Sequence, residues 1–344
     1  MTLPKPPLRV AILGAGLASA PYFKSLATLS DRIQVVWVLG RQLEKLAAIT
    51  LPQGAQATTS EHDIFDDSSV DAVFILTPAN THLHFTRLAA QAGNHVLLEK
   101  PLEVSLDLAT QLVSICETAG VVLGVMLQHR MRKGATALRQ LVGSGRLGSV
   151  ISASANIRWW RAQSYYDAPG RGTLERDGGG VLITQALHTL DLLLCLTGMP
   201  RRIHAHASTS TLHHMACEDT VGALLHFDNG TIATVQATTA AYPGYAEHIE
   251  INGTLGTATL HGGDLSLHFA DGTSQDITSS EGGGSGSDPM AFDHSAHQAV
   301  IANFVDAVQL GGPVSASGRS ALNVSRLIHA IMSSANHGGA TQTL

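Results

Sequence analysis

The sequence predicts an α/β fold that begins with a doubly wound parallel sheet and continues into a strand-rich second half. Three observations predict it. Short apolar runs alternate with helical stretches through roughly the first hundred residues, the pattern of strand, crossover helix and parallel strand. The first run ends in Gly14-Ala15-Gly16; paired glycines at a strand-to-helix junction permit a tight turn and let the backbone approach a pyrophosphate at the positive end of the helix. Helical periodicity gives way after Gly148 to runs separated by turns such as Asp228-Asn229-Gly230, as hairpins of an antiparallel sheet require.

Length and composition narrow the class. At 344 residues the chain is long enough for two cores. A net charge of −6 without a Lys/Arg block argues against nucleic acid as the primary partner and leaves small molecules as the better ligand class. Cys116, Cys195 and Cys217 are too few and scattered for a disulfide framework or a thiolate site, which suits a reducing cytosol. His213-His214 and the other histidines lack a zinc-ligand spacing, so no metal is expected. Neither a signal-peptide pattern in Met1-Thr2-Leu3-Pro4-Lys5 nor an apolar span of membrane length is read. The expectation is a cytoplasmic, soluble protein with no membrane partner.

In chain order, the strand Leu8–Leu13 runs into the glycine loop, where Ser19 stands in the third glycine position. Gly14, Gly16, Leu17 and Ala18 are the expected nucleotide contacts. The next strand, Ile33–Leu39, ends at Gly40-Arg41-Gln42, and no carboxylate appears until Glu44. NAD sites place an acid near this point to hold the ribose hydroxyls, so an uncharged residue followed by Arg41 favours NADP over NAD. The alternative is that Arg41 is a solvated residue opening a helix. Residues 70–76 form another buried strand that stops at Thr77-Pro78-Ala79-Asn80-Thr81-His82, small and polar residues suited to line a cofactor cleft. A helix over 84–91 returns the chain to Val96-Leu97-Leu98-Glu99-Lys100-Pro101. This run reads as a strand buried on both faces, with Lys100 at the carboxyl end where ligands sit in open α/β sheets; an exposed Glu-Lys pair is the competing reading. A helix over 102–119 and a strand over 121–127 lead to Gln128-His129-Arg130, where the first domain ends.

Gly14-Ala15-Gly16, Thr77-Pro78 with His82, and Glu99-Lys100-Pro101 together resemble the motifs of the Gfo/Idh/MocA oxidoreductase family. The resemblance extends over essentially the whole chain. It implies a Rossmann domain over 1–126 and a second α/β domain over 127–344 with a large, mostly antiparallel open sheet, the C-terminal helices packing back towards the first domain. It implies NAD(P)-linked oxidation or reduction of a sugar-like or cyclic alcohol, in a homodimer or homotetramer assembled through the C-terminal sheet. The expected cofactor contacts become Gly14, Gly16, Leu17, Ala18, Arg41, Thr77, Pro78, Asn80, His82, Glu99, Lys100 and Gln128.

The second half reads as strands over 150–159, 203–209, 221–227 and 231–238, a flexible loop at 281–287, and closing helices over 294–310 and 320–333. Asp177-Gly178-Gly179-Gly180 precedes an apolar helix over 181–196, and such glycines permit close approach of a ligand or cofactor ring. Thr184, His188 and Asp191 share one helical face, which makes His188 a candidate acid-base group oriented by a carboxylate. The resemblance places a substrate-contacting histidine at His188 and commonly an aspartate where Thr184 stands; threonine cannot take a proton near neutral pH, so the catalytic set is Lys100 and His188. Arg158-Trp159-Trp160-Arg161 with Tyr165-Tyr166 and Arg171 concentrates aromatic faces and cations suited to a sugar ring and to a carboxylate or phosphate. Arg158, Tyr166, Thr184 and Asp191 are the expected substrate contacts. The leading function is hydride transfer between a nicotinamide and a secondary alcohol or ketone of a sugar or polyol. The alternatives are a cis-dihydrodiol dehydrogenase of an aromatic acid, a redox-assisted glycosidase or lyase retaining its cofactor, and a nucleotide-sensing regulator.

Overall fold

The computed structural model describes residues 5–16, 18–278 and 294–344. Leu17 and the glycine-rich stretch 281–287 lie outside them. The chain divides into two compact units, one running to Gln128 and taking in His294–Leu322, the other starting at His129 and taking in Asn323–Leu344.

In the first unit, strands β1 (Leu8–Leu13), β2 (Ile33–Leu39), β3 (Gln56–Thr58), β4 (Ala72–Ile75), β5 (His95–Leu98) and β6 (Leu123–Val125) form one parallel sheet. Its order is β3-β2-β1-β4-β5-β6. The chain fills the sheet outward from β1 in one direction and then the other, so the crevice of this fold lies beyond the carboxyl ends of β1 and β4. The apolar runs carry no alternation because both faces are covered: Val96, Leu97 and Leu98 are all fully buried, as are Ala72 to Ile75. Helix Ser295–Leu310 supplies part of that cover, with Phe304 edge-on to Phe74 at 5.9 Å. β3 escapes the sequence reading because Gln56-Ala57-Thr58 is too short to show a period and only Thr58 is buried. The 70–76 and 121–127 runs shorten to β4 and β6.

The second unit contains β7 (Val150–Arg158), β8 (Arg202–Ser208), β9 (Thr220–His226), β10 (Ile232–Thr238), β11 (His248–Gly253), β12 (Gly256–His261), β13 (Asp264–Phe269), β14 (Ser274–Ile277) and β15 (Gln342–Thr343). They make a sheet of order β14-β13-β12-β11-β7-β10-β9-β8-β15, antiparallel except for the β7–β10 pair. Asp228-Asn229-Gly230 turns the chain between β9 and β10, with Phe227 N donating to Thr231 O. Alternate residues such as Ala153, Ala155, Ile157, Ile249 and Ile251 are buried on one face, which carries helices Lys133–Gly143 and Leu187–Thr197. The segment Leu174–Thr197 is long and apolar enough to cross a membrane, contrary to the sequence reading. Its apolar window is 72% buried, so the hydropathy is that of a core helix.

Helix Lys133–Gly143 carries a glycine near each end, in opposite circumstances. A Cβ on Gly134 would stand 2.3 Å from the Gly263 carbonyl oxygen in the β12–β13 turn, whereas one on Gly143 would meet nothing within 4 Å. Gly134→Ala is expected to destabilise by about 1–3 kcal/mol through overpacking against rigid backbone. Gly143→Ala is expected to stabilise by up to about 1 kcal/mol, because alanine loses less chain entropy in a helix. Urea unfolding of both variants should move the midpoint in opposite directions.

Candidate active site

The glycine loop is shaped by what it touches. Gly14 has φ +100°, and a Cβ there would lie 3.0 Å from the backbone C and O of Leu76. A side chain at this position would separate the end of β1 from the end of β4. A Cβ on Gly16 would meet open space, the room a ligand needs to reach the backbone. Ser19 occupies the third position with its hydroxyl turned inward, donating to Gly16 O at 2.8 Å. Helix Ser19–Thr28 starts after Ala18 with no side-chain cap; Ser19 N–H donates to Gly16 O and Pro21 has no N–H, so Ala20 carries the remaining N–H of the first three helical residues for an anion at this helix N-terminus. Arg41 is exposed beyond β2, and no side chain at 40–43 is acidic.

After β4, Thr77 is half-buried while Pro78 and Asn80 are exposed. Thr81 Oγ1 lies 2.7 Å from both Thr77 Oγ1 and Pro78 O. His82, expected to contact the cofactor, has internal contacts at both ring nitrogens. Its Nε2 is 2.9 Å from Thr77 O and its Nδ1 3.0 Å from Pro101 O, and the ring is buried. Both nitrogens face backbone carbonyls, and the neutral ring donates to one of them through its single N–H, so it sits wedged between the Thr77 turn and the Pro101 segment. Burial pushes its pKa down.

At the end of β5, Lys100 is half-buried and joined to Pro101 by a cis peptide bond. The Glu99 carboxylate does not point to a ligand: Tyr22 donates its hydroxyl to Oε1 at 3.1 Å and Lys100 N–H donates to Oε2 at 2.9 Å. Burial pushes the Glu99 carboxyl up, and the Lys100 charge and these two donors oppose it. Gln128, which follows β6, keeps its Oε1 buried with no hydrogen-bond partner among the described residues. A buried amide oxygen left this way is uncommon and fits a polar group brought by a ligand.

In the second unit, the predicted helix is interrupted. Leu182–Ala186 is π-helical and the α-helix runs only over Leu187–Thr197. Thr184 lies within the π turn and His188 in the α-helix that follows it. Thr184 Oγ1 donates to Gly180 O at 2.6 Å and contacts Gln185 Oε1. His188 is buried and its ring stacks on His129, with centroids 4.7 Å apart and planes at 26°. His129 Nδ1 lies 3.7 Å from Glu247, whose carboxylate also accepts from Arg132. Asp191 is not an orienter of His188: Arg130 grips it with Nε to Oδ2 at 2.7 Å and Nη2 to Oδ1 at 2.5 Å. Burial opposes the Arg130 charge, but this carboxylate holds the guanidinium above its ordinary pKa.

The glycine run before this helix has an internal use. A Cβ on Gly180 would sit 1.8 Å from Glu218 O. The Glu218 carboxylate accepts from Gly180 N at 3.0 Å and Leu182 N at 3.2 Å. The close approach that glycine permits at Gly180 is to Glu218, in the segment that leads into β9. Tyr166 is likewise committed inside, its hydroxyl 2.8 Å from Thr239 Oγ1 and its pKa pushed up to about 12 by burial. Arg158 is exposed, with its guanidinium 4.7 Å above the Tyr245 ring. Arg161 is buried against Trp159 and Tyr165, and Arg171 lies 4.0 Å over Tyr165.

Tyr22, His129, Arg130 and Glu218 were not legible as site residues. Their partners lie far away in sequence, so no local spacing marks them. One signal existed: charged residues form only 14% of the chain, so Glu218-Asp219 immediately before an apolar strand was a candidate for buried capping.

Residues 8–127 match the oxidoreductase family with an NAD-binding Rossmann fold, and residues 135–259 match the Gfo/Idh/MocA C-terminal domain. The 1,5-anhydro-D-fructose reductase of Ensifer adhaerens is 31% identical over 264 residues, covering 70% of this chain and 74% of that protein. Inositol 2-dehydrogenase 2 of Paenarthrobacter aurescens is 26% identical over 343 residues, 97% of this chain and 98% of that one. The WlbA dehydrogenase of Bordetella pertussis, solved with NADH and UDP-GlcNAcA, superposes with a TM-score of 0.86 at 27% identity, covering 99% of both chains. The chain therefore belongs to the Gfo/Idh/MocA family and is an NAD(P)-dependent oxidoreductase.

Proposed function

We propose that the chain transfers a hydride between a nicotinamide cofactor and a secondary alcohol or ketone of a sugar, polyol or related cyclic substrate. The observation that carries this reading is the position of Lys100 at the carboxyl end of β5, beside β4, whose own end is met by the Gly14 turn. Relatives named as an anhydrofructose reductase, a glucoside 3-dehydrogenase and an inositol dehydrogenase support the substrate class.

The residues present fit a dinucleotide. Gly14, Gly16 and the uncapped helix after Ala18 would hold the pyrophosphate, Thr77, Pro78 and Asn80 would line the adjacent wall, and Gln128 Oε1 would meet a ligand amide. When bound, the nicotinamide accepts or supplies the hydride. The chain's own residues must then handle one proton at the substrate oxygen. A free lysine titrates near ~10.4 and a free histidine near ~6.5, so Lys100 is assigned to hold the substrate oxygen and exchange its proton, and His188 to share or complete that transfer. Thr184 supplies no base, and Asp191 is engaged by Arg130. Arg158 remains the exposed cation for a substrate carboxylate or phosphate.

Lys100→Met is expected to lower kcat/KM by on the order of 10²–10⁴-fold, and His188→Ala to cost less. Undiminished turnover in Lys100→Met would remove the assignment. Arg41, with no acid beside it, selects NADP; fluorescence titration should find NADPH bound at least about tenfold tighter than NADH, a preference that Arg41→Ala abolishes. Tenfold tighter NADH would reverse this reading.

The face of the second sheet opposite the buried one is offered to a second copy of the chain. Strand registers place His206, Gly222, Gln236, Asn156, His248 and His261 side by side across six strands, β8 to β12 by way of β7. The face carries glycine, amide and imidazole groups at these positions, with no carboxylate, lysine or arginine among them, which suits contact between two such faces. Light scattering is expected to give a dimer or tetramer, and Gln236→Arg to shift it towards monomer.

A further inference from the structure

Tyr22 is used by nothing in the mechanism above, yet it is among the most buried large side chains of the first unit. It lies on helix Ser19–Thr28, the helix that follows the glycine loop. Its ring is packed by Phe74, with centroids 6.4 Å apart, and by His297 edge-on at 5.9 Å. A buried phenol needs a partner for its hydroxyl, and here the partner is Glu99 Oε1 at 3.1 Å. Glu99 passes the connection on, because its second oxygen accepts from Lys100 N–H at 2.9 Å while Glu99 N donates to Ile75 O at 2.9 Å. One hydroxyl thus links the nucleotide-loop helix to the backbone of the residue on which the proton chemistry rests.

We propose that Tyr22 is a positioning residue that fixes the Glu99 carboxyl group, and through Glu99 holds Lys100 in place with that group beside it. This rests on the reading of Lys100 given above. Tyr22 cannot itself exchange the proton: burial first, and then the Glu99 charge, push its hydroxyl well above the ordinary phenol range. It is a donor at every working pH. Glu99 is held in place by donors that favour its charged form, against the burial that favours the neutral one. Removal of the Tyr22 hydroxyl tips that balance towards protonation. With Glu99 neutral, Lys100 loses the negative charge beside it and gives up its own proton more readily.

The test needs no substrate. Lys100 is acetylated with acetic anhydride across a pH series in the full chain, and the modified peptide is quantified by mass spectrometry. Tyr22→Phe keeps the ring and its packing, so a packing role predicts no change. The expected result is acetylation of Lys100 raised by about tenfold near neutral pH, with its pH midpoint moved down. Glu99→Gln should give the same rise, and the double variant no more than Glu99→Gln alone. Wild-type reactivity in Tyr22→Phe, or additive effects in the double variant, overturns the proposal. Should Tyr22→Phe fail to fold, wild-type reactivity in Glu99→Gln overturns it equally. Failure of the Lys100 reading appears separately, as retained turnover in Lys100→Met.

Discussion

The first unit depends on the parallel pairing of β1 with β4. That pairing puts the glycine turn after β1 directly against Leu76 and Thr77, at a distance that leaves no room for a Cβ on Gly14. The same pairing continues to β5, so the Thr77 turn and the Glu99-Lys100-Pro101 end lie at the ends of adjacent strands. His82 then sits between the carbonyls of these two ends. Motifs separated by tens of residues in sequence are neighbours because three largely buried strands pair in register, and burial on both faces is what makes a register slip costly.

The second unit meets a different constraint. It keeps polar groups inside an apolar helix packed on a sheet, and the charged ones are met by partners from distant elements. Arg130 with Asp191 is the clearest case: two charges are removed from water, and the bidentate geometry supplies the compensating bonds. Glu218 does the same for the backbone, taking N–H groups that the π turn leaves without helical acceptors. These groups position the helix, and His188 on it stacks against His129 rather than against its own i+3 neighbour.

How much was legible follows from where each feature's cause lies. Strands β1, β2 and β5, the glycine loop and the Glu99-Lys100-Pro101 end were readable because apolar runs and turn residues are local signals. Strands β7 to β10 of the second sheet are readable from their runs and the Asp228-Asn229-Gly230 turn, whereas β11 to β15 are not marked in that reading. β3 was not readable either, being three residues with little burial. Asp191, Tyr166, Glu99 and His82 are expected from the sequence to reach a ligand, and the structure gives each an internal partner, because a sequence shows that a group needs a partner but not which partner the fold delivers. The same holds for the triple glycine: Gly180 needs close approach, and Glu218 is what approaches.

The π turn at Leu182–Ala186 carries a consequence for how this helix can vary. Such a turn amounts to one residue more than an α-helix would hold, so its removal would turn everything on one side by roughly 100° relative to the other. A single deleted codon between Val181 and Leu187 would leave the apolar composition almost untouched. It would nonetheless change which side chains stand on the His188 face. Insertions and deletions here act as a rotation of the helix about its own axis, a form of variation to which a comparison of residue identities is blind.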